Sequence, residues 1–288
     1  MLKISSKKIL KITTAALLTL CIFLTGTCVY AEDTYVTYKK VMEKGLATAF
    51  GYDYTKPVPK NLAKGLDYFN DAVFLGDSRT VDLMIYSKVK ETKAKAYCDV
   101  GLNVNTVFQK KFVTVKGEKV TAIEALKANK KKYTKVYIMF GINELGFDSA
   151  DSFIKSYVKL VDTVRKINPD AVVYVQSILP VTKSKDQTCD KFNNHRAKKF
   201  NAYIREMCEK RKLFFIDAYS AFEGADGYLP EAIASDGIHF GPSVCDNWLS
   251  YLANRTLEYE PDPEEEKSET DKSEKDKNNQ KTESGKQQ

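Results

Sequence analysis

Four short apolar runs punctuate the middle of the chain. Ala72-Val73-Phe74-Leu75 closes on Gly76, and Val136-Tyr137-Ile138-Met139-Phe140 closes on Gly141. Ala171-Val172-Val173-Tyr174-Val175 and Leu213-Phe214-Phe215-Ile216 follow. Runs this short, rich in branched and aromatic residues and bounded by turn residues, predict buried strands. A weaker strand signal lies at Ala96-Tyr97-Cys98, ahead of Gly101. Between the runs the apolar spacing changes to three and four. Phe153, Tyr157, Leu160, Val161, Val164 and Ile167 share one helical face, and Asn168-Pro169 ends it. Phe192, Phe200, Tyr203, Ile204, Met207 and Cys208 mark a second helix, and Trp248, Leu249, Tyr251 and Leu252 a terminal one after Pro242. Strand, helix, strand in succession implies parallel neighbours joined by crossovers. The expected class is α/β: a three-layer α/β/α sandwich on a mostly parallel, flavodoxin-like central sheet. Reactive groups in such sheets sit beyond the carboxyl ends of the strands.

The pattern fails at both ends. Lys3, Lys7, Lys8 and Lys11 precede an apolar run from Ile12 to Leu24, and Val29-Tyr30-Ala31 offers a small-residue cleavage site. That is the order of a secretory leader, and the run is short for a spanning helix, which needs about 20 apolar residues. The expectation is an exported protein, secreted or envelope-associated, that meets the membrane only if the leader is retained as an anchor. From Glu260 to Gln288 the chain holds ten acids, six lysines and no apolar residue fit for a core. Such a segment cannot offset its own ordering entropy and is expected to be disordered. Residues 32–70 read as an N-terminal extension, with one helix expected over 35–50 before Pro57 and Pro59 interrupt the chain. Phe112 to Glu118 has the form of one arm and the turn of a small hairpin. The organisation is therefore a leader over 1–31, an extension over 32–70, the α/β domain over 71–259 and a tail over 260–288.

Composition narrows the partners. The whole chain has 45 Lys+Arg against 38 Asp+Glu, a formal +7. A mild basic surface suits an anionic wall polymer or membrane face, but a plain solvated surface is the reading the lysines favour. Export makes nucleic acid a poor partner. Cys98, Cys189, Cys208 and Cys245 remain after the leader and show no zinc-type spacing, so no zinc site is expected. Three full pairings, or isolated buried thiols, are all compatible with the sequence.

Three segments carry candidate chemistry. Phe74-Leu75-Gly76-Asp77-Ser78-Arg79-Thr80 places Ser78 where a strand gives way to a helix. Unpaired N–H groups at a helix start favour the negative charge that a serine nucleophile generates, although Asp and Ser are also ordinary caps. Ser235-Asp236-Gly237-Ile238-His239-Phe240-Gly241-Pro242 supplies one of the two histidines. A serine hydroxyl needs a general base, and Asp236 is spaced to orient the His239 ring. Met139-Phe140-Gly141-Ile142-Asn143-Glu144 sets an asparagine amide just beyond a strand, where it can donate to an oxyanion or merely make a turn. His195, among Asn193, Asn194 and Arg196, lacks an acid at useful spacing. Ser177 to Val181 should run near the same rim and shape a substrate pocket.

Taken together, and in this order, these motifs resemble the SGNH (GDSL-type) serine hydrolases over about residues 71–259. The resemblance implies the α/β/α sandwich and no metal or organic cofactor. It implies Ser78 as nucleophile, Asp236 and His239 as the other triad members, and Asn143 as an oxyanion donor alongside the Ser78 and Gly101 N–H groups. Another alignment would put Val104 in place of Gly101. Departures from the pattern are Glu144 for the usual aspartate, Phe240 for a common proline, and Arg79 for the leucine of the motif's name. Arg79 is expected to help place an anionic substrate. The resemblance implies an esterase working through an acyl-serine; expected export, a basic face and the absence of a long lipid-binding helix favour short acyl groups, such as acetyl, on carbohydrate or wall polymer. Lipid or lysophospholipid esters, acyl transfer with the same residues, or an inactive envelope-binding protein are the alternatives.

Overall fold

Strand side chains alternate between faces, so a run buried on both sides must feed two cores. The computed structural model, which describes residues 52–257 apart from Asp148 and Ser235, shows this division. The leader, the helix expected over 35–50 and the charged tail lie outside the described residues. The strands are β1 (Ala72–Gly76), β2 (Lys95–Cys98), β3 (Lys111–Val115), β4 (Glu118–Thr121), β5 (Lys135–Met139), β6 (Val172–Gln176) and β7 (Phe214–Ile216). The helices are α1 (Ser78–Tyr86), α2 (Ala122–Ala128), α3 (Ala150–Ile167), α4 (Lys183–Thr188), α5 (Asn194–Arg211), α6 (Ala218–Phe222) and α7 (Pro242–Ala253).

Five strands form one parallel sheet in the order β2-β1-β5-β6-β7. Val73, Leu75, Val136, Ile138, Val173 and Val175 face a core filled from α2, α3 and α5. Their neighbours Ala72, Phe74, Tyr137, Met139 and Tyr174 face a second core filled from α1 and α7. On that second face the in-register rings of Phe74, Tyr137 and Tyr174 stack across three strands, with centroids 5.0 and 4.8 Å apart. The expected three-layer α/β/α sandwich is the observed fold. β3 and β4 make the antiparallel hairpin, turning through Lys116 and Gly117, both at positive φ.

Boundaries moved where a cap outweighs apolar spacing. The helix marked from Phe192 starts at Asn194, because the Asn193 side chain accepts from Arg196 N–H at 3.1 Å. α4 buries none of its residues, so it offers no apolar period to detect.

The winding decides where a site can form. The chain leaves β1 for β2, then returns past β1 to β5 and continues outward. That reversal opens a crevice beyond the carboxyl ends of β1 and β5. Gly76 ends β1 there because a Cβ would strike Thr80 Oγ1 and lie 2.6 Å from Met139 O. Only a glycine lets β1, β5 and α1 approach this closely.

Candidate active site

Ser78 is the first residue of α1, and Asp77 is its cap, accepting from Arg79 N–H at 3.0 Å. The serine therefore sits at the positive end of a nine-residue helix, in the crevice made by the sheet reversal. His239 reaches it from the loop before α7: its Nε2 lies 2.9 Å from Ser78 Oγ. His239 Nδ1 lies 2.6 Å from Asp236 Oδ2. Asp236 Oδ1 accepts from Ile238 N–H at 2.9 Å and His239 N–H at 2.8 Å. Partial burial works against its charge, but these N–H groups and the His239 ring hold Asp236 well below the usual carboxylate range. A carboxylate at Nδ1 fixes the proton there and leaves Nε2 to accept from the serine hydroxyl.

The third motif arrives from the end of β5. Asn143 Nδ2 donates to Leu102 O at 2.9 Å, which uses one of its two N–H bonds and leaves the other. Leu102 belongs to the turn Asp99–Leu102, closed by Leu102 N–H to Asp99 O at 3.2 Å. Gly101 holds φ +72° at the third position of that turn, a value that favours glycine. Gly101 is exposed, and its N–H has no acceptor among the described residues. Val104, the other alignment, is buried and its N–H is committed to Glu144 Oε1 at 2.8 Å. The geometry thus leaves Gly101, not Val104, with an amide to offer. Removing the Asn143 amide by Asn143→Ala should lower kcat about 10²- to 10³-fold with the fold retained, read from ester turnover and a thermal melt.

Glu144 is a structural residue here. It is fully buried, and no hydrogen bond reaches its Oε2 among the described residues. Burial, reinforced by the Asp77 carboxylate, pushes its carboxyl up to about 8. Unfolded, the same group ionises near 4.5. Between those values the folded chain keeps a proton that the unfolded chain releases, so stability falls as pH rises. Glu144→Gln has no such proton. Thermal midpoints measured from about pH 5 to about pH 9 should show wild type losing ground to this variant as pH increases.

Two expectations are corrected. Arg79 does not face a substrate: it is 1% exposed, and burial pushes its guanidinium down to about 10. Its three nitrogens donate to Ile238 O at 3.0 Å, Leu179 O at 2.6 Å and Pro180 O at 2.9 Å. Ser177 to Val181 is likewise buried and supports the rim from behind instead of lining a pocket. Ser177 Oγ accepts from Tyr219 N–H at 2.7 Å, and Asn194 Oδ1 from Val181 N–H at 2.8 Å. His195 is exposed on the first turn of α5. All four cysteines named above are unbridged, with Cys208 and Cys245 buried. Asp82, half-buried on α1, has nothing in its sequence spacing that marks it. Its Oδ2 accepts from Phe240 N–H at 3.2 Å, beside His239.

The profile of the GDSL-like lipase/acylhydrolase family matches residues 74–244, well over half of the chain and every residue of the site. No curated protein matches the chain. Among solved structures, a protein described as an acylhydrolase from Bacteroides fragilis is 18% identical with a TM-score of 0.49, over 70% of this chain and 92% of that one. A GDSL-like lipase from Bacteroides thetaiotaomicron is 14% identical with a TM-score of 0.48, over 74% of this chain and 98% of that one. An acetylxylan esterase from Geobacillus stearothermophilus is 16% identical with a TM-score of 0.43, over 66% of this chain and 94% of that one.

Proposed function

The chain belongs to the GDSL-like lipase/acylhydrolase family and is an ester-hydrolysing enzyme, and from that premise we propose that Ser78 is its nucleophile. The observation that carries this reading is the relay of 2.9 and 2.6 Å from Ser78 Oγ through the His239 ring to Asp236, joining positions 161 residues apart. Ser78 Oγ attacks the ester carbonyl carbon as its proton passes to His239 Nε2. Negative charge gathers on the carbonyl oxygen, and the Ser78 and Gly101 N–H groups with the remaining Asn143 N–H are the donors this reading assigns to it. His239 returns its proton to the departing alcohol, leaving an acyl-serine. Water, deprotonated by the same nitrogen, then releases the acid and restores Ser78.

The substrate in this reading is a short acyl ester, acetyl above all, on a carbohydrate or cell-wall polymer outside the cytoplasm. Support comes from the leader-like first 31 residues and from the small excess of Lys+Arg that remains once the four leader lysines are removed, 41 against 38 acids. Fluorophosphonate labelling of Ser78, with release of acetate from p-nitrophenyl acetate and from acetylated wall sugars, is the expected result. A folded protein that cleaves long-chain lipid esters and leaves acetyl esters intact would refute the short-acyl assignment while keeping the esterase.

A further inference from the structure

We propose that Arg79 and Asp82 form a two-point clamp that holds His239 at its working distance from Ser78. The inference rests on reading Ser78 as nucleophile and His239 as base. The two residues are three apart on α1 and so share a face of that helix. Arg79 Nε donates to Ile238 O at 3.0 Å, and Asp82 Oδ2 accepts from Phe240 N–H at 3.2 Å. The residue before His239 and the residue after it are thus both fastened to the helix that begins with Ser78. Nucleophile and base are referenced to one rigid element, though they lie in segments far apart in the chain.

The chemistry of the side chains fits this task. A guanidinium is a planar fork with five donors, and Arg79 uses it to reach Ile238, Leu179 and Pro180 together. Its face lies over the Phe240 ring at 5.4 Å. Asp77, Asp82 and Asp236 surround it with negative charge, which opposes the effect of burial on the cation. Two departures noted in the sequence, Arg79 for leucine and Phe240 for proline, are therefore in contact. A proline at 240 would have no N–H to give Asp82, and a leucine at 79 could not bind Ile238 O. They are parts of one arrangement.

The test uses the full chain with Asp82→Ala, Asp82→Asn and Arg79→Lys, each alone and in a His239→Ala background. Asp82→Ala is expected to lower kcat about 10- to 100-fold, with KM within about twofold and a melting midpoint close to wild type. Asp82→Asn keeps an acceptor oxygen and should recover kcat to within about fivefold of wild type. Arg79→Lys retains charge without the fork and should fall between the two. In the His239→Ala background Asp82→Ala should lower the residual rate less than about twofold, because no ring remains to be misplaced. A kcat within about twofold of wild type for folded Asp82→Ala would overturn the clamp. So would an equal loss in both backgrounds, or a loss confined to KM. If wild type neither turns over esters nor takes the fluorophosphonate label, the reading of Ser78 fails and the clamp falls with it. Turnover by wild type with an indifferent Asp82→Ala removes the clamp alone.

Discussion

Ser78→Ala should leave a folded protein with essentially no ester turnover, a loss of about 10⁶-fold in kcat. The magnitude follows from what disappears. Only the hydroxyl oxygen can bond to the acyl carbon, and His239 Nε2, 2.9 Å away, has nothing else to deprotonate in that position. The backbone amide of residue 78 stays at the helix start, so binding and oxyanion stabilisation persist while the covalent path is lost. Stability should change little, because the residue is a small polar group at the first position of α1 and Asp77 still caps the helix. The measurement is kcat on p-nitrophenyl acetate beside a thermal melt and fluorophosphonate labelling. A folded variant retaining more than about a tenth of wild-type kcat would dismiss Ser78 as nucleophile.

The strands and the three long helices were legible because burial on two faces leaves apolar runs, and burial on one face leaves a period of three to four. The meeting of Ser78, Asp236 and His239 was legible for a different reason. Each stands at a fixed offset from a strand end or inside a short motif with glycine beside it. What stayed hidden was the direction in which side chains point. Arg79 follows the serine and carries a charge, so it reads as a substrate contact, yet every nitrogen turns inward to a carbonyl. Ser177 to Val181 leaves a strand end as a rim loop should, but Arg79, Asn194 and Asn201 pull its backbone inside. Those partners come from remote segments, and single-sequence spacing carries no trace of them. Which of the Gly101 and Val104 N–H groups is already bonded was hidden in the same way, because Val104 donates to Glu144, forty residues away.

Asp236→Asn is expected to reduce kcat about 10⁴-fold while preserving the fold and KM. An asparagine can still accept from Ile238 and His239 N–H through Oδ1, the two bonds that shape the loop. The group facing His239 Nδ1 becomes an N–H donor in place of Oδ2. The ring then accepts at Nδ1 and carries its proton on Nε2, pointing at Ser78 Oγ. In that tautomer it cannot take the serine proton, and the imidazolium formed during attack loses its neighbouring carboxylate. Wild-type Asp236 is held far into its ionised form, so it contributes no inflection to the pH–rate profile where the enzyme is assayed. The loss in Asp236→Asn should therefore reflect tautomer and charge, not a shifted titration. Asp236→Glu separates these: it restores the carboxylate with one extra methylene and should recover part of the lost kcat, though misplaced by about 1 Å. Equal inactivity of the Asn and Glu variants with unchanged melting midpoints would mean that position, not tautomer control, is what Asp236 supplies. Near-wild-type kcat in Asp236→Asn would leave His239 acting without its carboxylate and remove Asp236 from the mechanism.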